Sequence, residues 1–259
     1  MKTIAKPLPN TERPWQWPLL MAFIRLPLIL AGSAIAILAY QFAGNPVGLA
    51  AGLGWSTLTL TIVNLLNLGL LFWRSKVEDF NPKQTIGFHW HLVWRDLAVG
   101  VALSFLLGAL LLIGVFAVIF LLHGTNGFAN LESVFVGDAD FSFPLPVWMA
   151  VVSAVAFPLL NPLVEELHYR GYTQPRLVAA SHSIPTGIFL TAIGFGLQHV
   201  VFAVTVSSAL AYAAGFFLWG LGAGFIFHRQ HRLVPLIVAH FISNLSFGVI
   251  PLLMISQGS

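Results

Sequence analysis

Glu165, His199, His240 and Asn244 stand in an otherwise apolar second half of this sequence. A carboxylate with imidazoles can activate water. The glutamate takes the proton as general base, and a histidine holds the water or passes the proton to a leaving amine. An asparagine amide can donate to the developing oxyanion, a contact worth roughly 3–4 kcal/mol of barrier. The chemistry that fits this set is hydrolysis. The chain has no cysteine, which removes thiolate catalysis, disulfides and Cys-based zinc or iron–sulfur sites. No serine sits in a Gly-x-Ser-x-Gly elbow.

The spacing of these residues is regular. Glu166 and Arg170, Phe195 and His199, and His240 and Asn244 each stand at i and i+4, positions that share one helix face. Three helices can therefore each turn a two-residue edge towards a common interior. Each edge also has a plainer reading. Glu166–Arg170 serves as an ion pair at the end of a span, buried histidine packs with one hydrogen bond, and asparagine in a membrane helix is interhelical glue. Glu165 has no such local partner, since it lies about 100° away from Glu166 around the helix. A metal is the rival mechanism. Glu165 and His168 form Glu-x-x-His on one helix face, and Glu165, His199 and His240 together would supply a zinc shell. The His-Glu-x-x-His signature is absent, however, and His168 has an equally good place at the membrane interface beside Tyr169 and Tyr172.

The elements that must position these groups are membrane spans. The sequence is 58% hydrophobic and only 8% charged, against about 25% charged in a soluble domain. Apolar runs lie near 19–42, 47–73, 97–122, 146–167, 184–202, 205–227 and 233–255, each near the roughly 20 residues that cross the hydrocarbon core. The fold class is all-α, a polytopic transmembrane helical bundle of about 7–8 spans. The near-contact of the fifth and sixth runs leaves room for an eighth span or a re-entrant segment. The Met1–Trp17 segment, with Lys2, Lys6 and Arg13, reads as a cytoplasmic lead. Residues 18–130 read as N-terminal helices and 140–256 as the catalytic core.

Lys and Arg fall in alternate connections, with Arg74, Lys76, Lys83 and Arg95 in one and Arg229 and Arg232 in another. The positive-inside rule then puts the N-terminus in the cytoplasm. His89, Trp90, His91 and Trp94 read as an interfacial anchor. The net charge of +3 sits in these short connections and does not point to nucleic acid. One tension arises. If the fourth span ends near residue 167, Glu165 lies at the cytoplasmic edge, whereas His199 lies deep in the next span. The expectation is that segment 171–186 is partly embedded, or that the fourth span runs deeper than its charges suggest.

The motifs resemble those of one family. Glu165-Glu166-Leu-His-Tyr-Arg170-Gly171 is similar to Glu-Glu-x-x-x-Arg, Phe195-Gly-Leu-Gln-His199 to Phe-x-x-x-His, and His240-Phe-Ile-Ser-Asn244 to His-x-x-x-Asn. This is the pattern of the CPBP intramembrane proteases, which take in CAAX prenyl endopeptidases and bacteriocin-processing, Abi-like or immunity proteins. The resemblance covers roughly residues 146–255. It implies that Glu165 activates the water, that His199 helps hold it, and that His240 and Asn244 stabilise the oxyanion. Glu166 and Arg170 would be supporting residues. His168 fills a position that is usually apolar or aromatic in the family.

The expected function is an intramembrane endopeptidase acting on a membrane-associated or lipidated peptide, in the lipid bilayer of a prokaryotic plasma membrane. A proton-coupled transporter is the first alternative, but no internal repeat of the kind transporters carry is visible. A non-catalytic, partner-binding member of the same family is the second.

Overall fold

Where no water is available, every backbone N–H and C=O must be paired within its own segment, and a helix does this residue by residue. The computed structural model describes residues 15–44, 48–78, 80–141, 143–250 and 252–253, and among these there is no strand. Nearly all of the Met1–Trp17 lead, including Lys2, Lys6 and Arg13, lies outside the described residues. The helices are α1 (Gln16–Phe23), α2 (Arg25–Phe42), α3 (Leu49–Gly54), α4 (Ser56–Val77), α5 (Pro82–Ile86), α6 (Val93–His123), α7 (Asn126–Ala129) and α8 (Leu131–Phe135), followed by α9 (Val147–Glu166), α10 (Gln174–Ser181), α11 (Ile184–Gln198), α12 (Val206–Gln230) and α13 (Val234–Gly248). A π-helical segment, Leu167–Thr173, joins α9 to α10, and a 3-10 turn, His199–Phe202, follows α11.

Six stretches are long and apolar enough to cross a membrane: Gln16–Phe42, Ser56–Val77, Pro82–His123, Val147–Ser181, Ile184–Phe202 and Val206–Gln230. Helix α13 is a shorter apolar helix of 15 residues. These account for the seven apolar runs, and no eighth span occurs among the described residues. The protein is thus a polytopic helical bundle.

The fourth stretch departs from the expected boundary. It does not end near residue 167 but runs on to Ser181. The charges that suggested an end are neutralised in place. Arg170 pairs with Glu166 at 3.1 Å, and Arg176 pairs with Glu78 at 2.6 Å. Residues 167–174 are all buried. With this extension Glu165 no longer stands at the end of its stretch. The chain reverses at His182, in the left-handed conformation that closes α10, and Ser183 caps α11 by accepting from the Thr186 N–H at 3.3 Å. Glu165 and His199 stand at equal distances in sequence on either side of His182. On two helices folded back on each other, they come level.

Helix α12 lies at the centre, packed against α6 and α11, while α13 packs against both α6 and α9. Close approach rests on small residues, as expected where apolar burial alone gives helices no preference for each other over lipid. A Cβ on Gly114 of α6 would fall 2.7 Å from the Ala214 carbonyl oxygen of α12. The main core gathers Leu107, Tyr169, Tyr172, Phe195, Trp219 and Leu236 around the α9–α10 junction. At one end of the bundle, Arg232 pairs with Asp96 at 2.5 Å and donates to the Gly87 carbonyl, while Glu78 binds both Arg74 and Arg176. The arginine-bearing connections that the charge pattern placed on one side are therefore tied together.

Candidate active site

Two local breaks in helical regularity shape the site. Pro27 has no N–H, so the Phe23 carbonyl lacks its usual partner four residues on. The first stretch breaks at Ile24, between α1 and α2, and Arg25 follows directly, fully buried. In α9, Pro158 and Pro162 loosen the helix two turns and one turn before Glu165. Past Glu166 the backbone widens into the π-helical segment, where the Thr173 hydroxyl donates to the His168 carbonyl at 2.7 Å. Such widened turns recur at functional sites because they re-aim side chains that a regular helix would stack.

The structure brings the expected residues together. Glu165, His199 and Asn244 line one cavity, closed in by Leu60, Phe157, Phe202, Phe216 and Phe247, with Asn161 and Gln198 also in its wall. Its free volume is about 10 Å³, room for about one water. His240 stands beside it, its Nε2 3.6 Å from Glu165 Oε2 and its Nδ1 2.9 Å from Glu166 Oε1. Glu166 Oε1 also accepts from Arg170 Nη1 at 3.1 Å. Glu166 therefore ties its own helix to α13, and it does not line the cavity. Phe195 is fully buried behind the site, with its ring 4.7 Å from that of His199 and the Arg170 guanidinium carbon 4.3 Å over its face.

Tautomers follow from these contacts. His199 Nδ1 lies 2.6 Å from the Phe195 carbonyl oxygen. A carbonyl can only accept, so Nδ1 carries the proton, and Nε2 of the neutral ring keeps its lone pair. The ring lies flat on Phe216, with centroids 3.5 Å apart, which fixes its plane. Asn244 Nδ2 and Glu165 Oε2 are buried and make no hydrogen bond. The cavity thus holds an acceptor-only carboxylate oxygen, an imidazole lone pair and an amide donor. That is a suitable set for one water and one peptide carbonyl.

The partner of Glu165 was not foreseen. Arg25 donates from Nη2 to Glu165 Oε1 at 2.6 Å, from Nε to Gln198 Oε1 at 2.6 Å and from Nη1 to Asn64 Oδ1 at 2.9 Å. Nη2 also reaches Asn161 Oδ1 at 3.4 Å. One guanidinium thus joins α2, α4, α9 and α11. The two carboxylates of the site are balanced by two guanidiniums, as buried charges must be if the fold is to hold them. The sequence signal was an arginine inside the first apolar run, itself a mark of function at membrane depth.

Arg25 holds Glu165 Oε1, while His199 and His240 bond the Phe195 carbonyl and Glu166 through Nδ1. His168 turns away and bonds the Met21 carbonyl oxygen through Nε2 at 2.6 Å. It is fully buried against α1. Among the described residues, no three His, Cys, Asp or Glu side chains are grouped so as to hold a metal ion.

Fold and site together define a polytopic helical protein, its helices long and apolar enough to cross a membrane, in which Glu165 and His199 line a small cavity among aromatic side chains. Residues 146–246 match the family model of the type II CAAX prenyl endopeptidase Rce1-like proteins. The match contains all three motifs and leaves out α1 to α8, Arg25 among them. No curated protein and no solved structure matches the chain.

Proposed function

We propose that the protein is a glutamate-dependent intramembrane endopeptidase that cuts a membrane-associated or lipidated peptide. One observation carries the reading: Glu165 Oε2 is the oxygen of a buried, arginine-held carboxylate, it has no hydrogen bond, and its residue lines a water-sized cavity with His199 and Asn244. In the proposed reaction, water sits between Glu165 Oε2 and His199 Nε2. Glu165 takes one proton while the water oxygen bonds to the peptide carbonyl carbon. The carbonyl electron pair moves to oxygen, where the Asn244 amide donates to it, joined by His240 Nε2 when that ring is protonated. Collapse breaks the C–N bond, and Glu165 returns the proton to the leaving amine.

The aromatic and aliphatic wall, including Phe157, Phe202 and Phe247, favours an apolar chain beside the scissile bond. The match of residues 146–246 to a prenyl endopeptidase family model supports a lipidated substrate in the same way. The test compares protein termini in membranes carrying wild-type protein or Glu165→Gln, in the presence and absence of a chelator. The reading expects fragments that need Glu165 and survive chelation. Identical fragment sets with the two proteins would remove it.

A further inference from the structure

Gln198 lies at an unspecified position of the Phe-x-x-x-His motif, so the motif assigns it nothing. It is 1% exposed, lies in the cavity wall with Glu165, His199 and Asn244, and is held from two sides. Arg25 Nε donates to its Oε1 at 2.6 Å, and the Tyr169 hydroxyl donates to the same oxygen at 3.1 Å. A guanidinium can only donate, so the atom facing it must be the amide oxygen. This contact settles which way the amide points. The NH₂ group is then the free end, and Gln198 Nε2 is buried without a hydrogen-bond partner. Asn244 Nδ2, on a different helix at the same cavity, is in the same condition. Burying an amide donor unpaired is costly, and a donor left so at a cavity is poised for a ligand oxygen.

We infer that Gln198 is a further oxyanion donor, working with Asn244 on the scissile peptide carbonyl. The inference rests on the protease reading above. As water adds to the carbonyl carbon, the electron pair moves onto oxygen, and the Gln198 N–H strengthens its hydrogen bond to that charge. On collapse the pair returns and the C–N bond breaks, with no proton leaving Gln198. Arg25 gives this arrangement its economy, because the same guanidinium fixes the base through Glu165 Oε1 and the donor through Gln198 Oε1. Tyr169 is the second positioning residue.

The experiment uses the full chain in phospholipid vesicles, with a peptide spanning a site whose cleavage in membranes depends on Glu165. Gln198→Met removes the donor together with its acceptor oxygen. Gln198→Glu keeps an oxygen for Arg25 and Tyr169 but presents no N–H. Both variants should lose about 100-fold in kcat or more, with KM little changed, since the contact strengthens only in the transition state. A kcat within about threefold of wild type in either folded variant overturns the assignment, as does a loss carried by KM alone. If Gln198→Met does not fold, Gln198→Glu decides. Fragments unchanged by Glu165→Gln overturn the protease reading and this assignment with it. Fragments that need Glu165 but form at the wild-type rate with Gln198→Met overturn this assignment alone.

Discussion

Arg25 and Glu165 are separated by 140 positions in sequence, yet their side chains meet at 2.6 Å with both residues almost fully buried. The contact brings an arginine from outside the matched family domain to the carboxylate on which the proposed chemistry turns. Removing one member of such a pair leaves a charge with neither water nor partner. Arg25→Met should therefore destabilise the fold by about 3–5 kcal/mol. Adding Glu165→Gln to it should recover much of that loss. Thermal unfolding of the two single variants and the double variant in detergent checks this, and additive losses would show that the pair is not coupled.

Helix α1 reaches this place because Gly194 has no side chain. A Cβ there would run into the Ala22 carbonyl, three residues before Arg25. Gly194→Ala should cost at least about 1–3 kcal/mol through overpacking. Gly69 of α4 has nothing within 4 Å of its would-be Cβ. Gly69→Ala should be neutral or stabilise by up to about 1 kcal/mol. The same unfolding measurement, run on both variants, separates a site-building glycine from an idle one.

The spans were legible from sequence because apolar runs of the right length have few alternatives in a membrane. The pairing of Glu166 with Arg170 was equally legible, since i and i+4 contacts depend only on the helix they share. The partner of Glu165 was not, because no local rule links α2 to α9. The arginine itself was visible inside the run 19–42, and its position at membrane depth was the available clue. The end of the fourth span was misplaced for a related reason. Hydropathy scores Arg170 and Arg176 one at a time and does not register that Glu166 and Glu78 neutralise them. Gln198 drew no notice because its role depends on which end of the amide is free, and that is set by contacts from Arg25 and Tyr169.

Loss of the amide donor on α13 should be felt in turnover. Asn244→Ala should lower kcat by about 100-fold or more with little change in KM. His199→Ala should also lower kcat, since the water loses its second holder, though the expected loss is about 100-fold at the low end for such a group. Steady-state kinetics on a Glu165-dependent peptide in vesicles reads both.

A chelator should leave cleavage unchanged. In the proposed reaction Glu165 and His199 activate the water, and the Arg25 guanidinium supplies the positive charge beside Glu165 Oε1. Rates measured before and after exhaustive chelation provide the check. Loss on chelation with recovery on adding zinc would point to a metal mechanism instead.

The most direct measurement sets the two adjacent glutamates against each other. Glu165 is assigned as the base, and Glu166 as the brace that holds Arg170 and His240. The cleavage rate per folded molecule should be measured for Glu165→Gln and Glu166→Gln in vesicles, at a temperature where both are folded. Glu165→Gln should fall to background, while Glu166→Gln keeps a measurable rate and shows its main loss in thermal stability. A Glu165→Gln protein that cleaves as fast as Glu166→Gln, or faster, would contradict the assignment of the base.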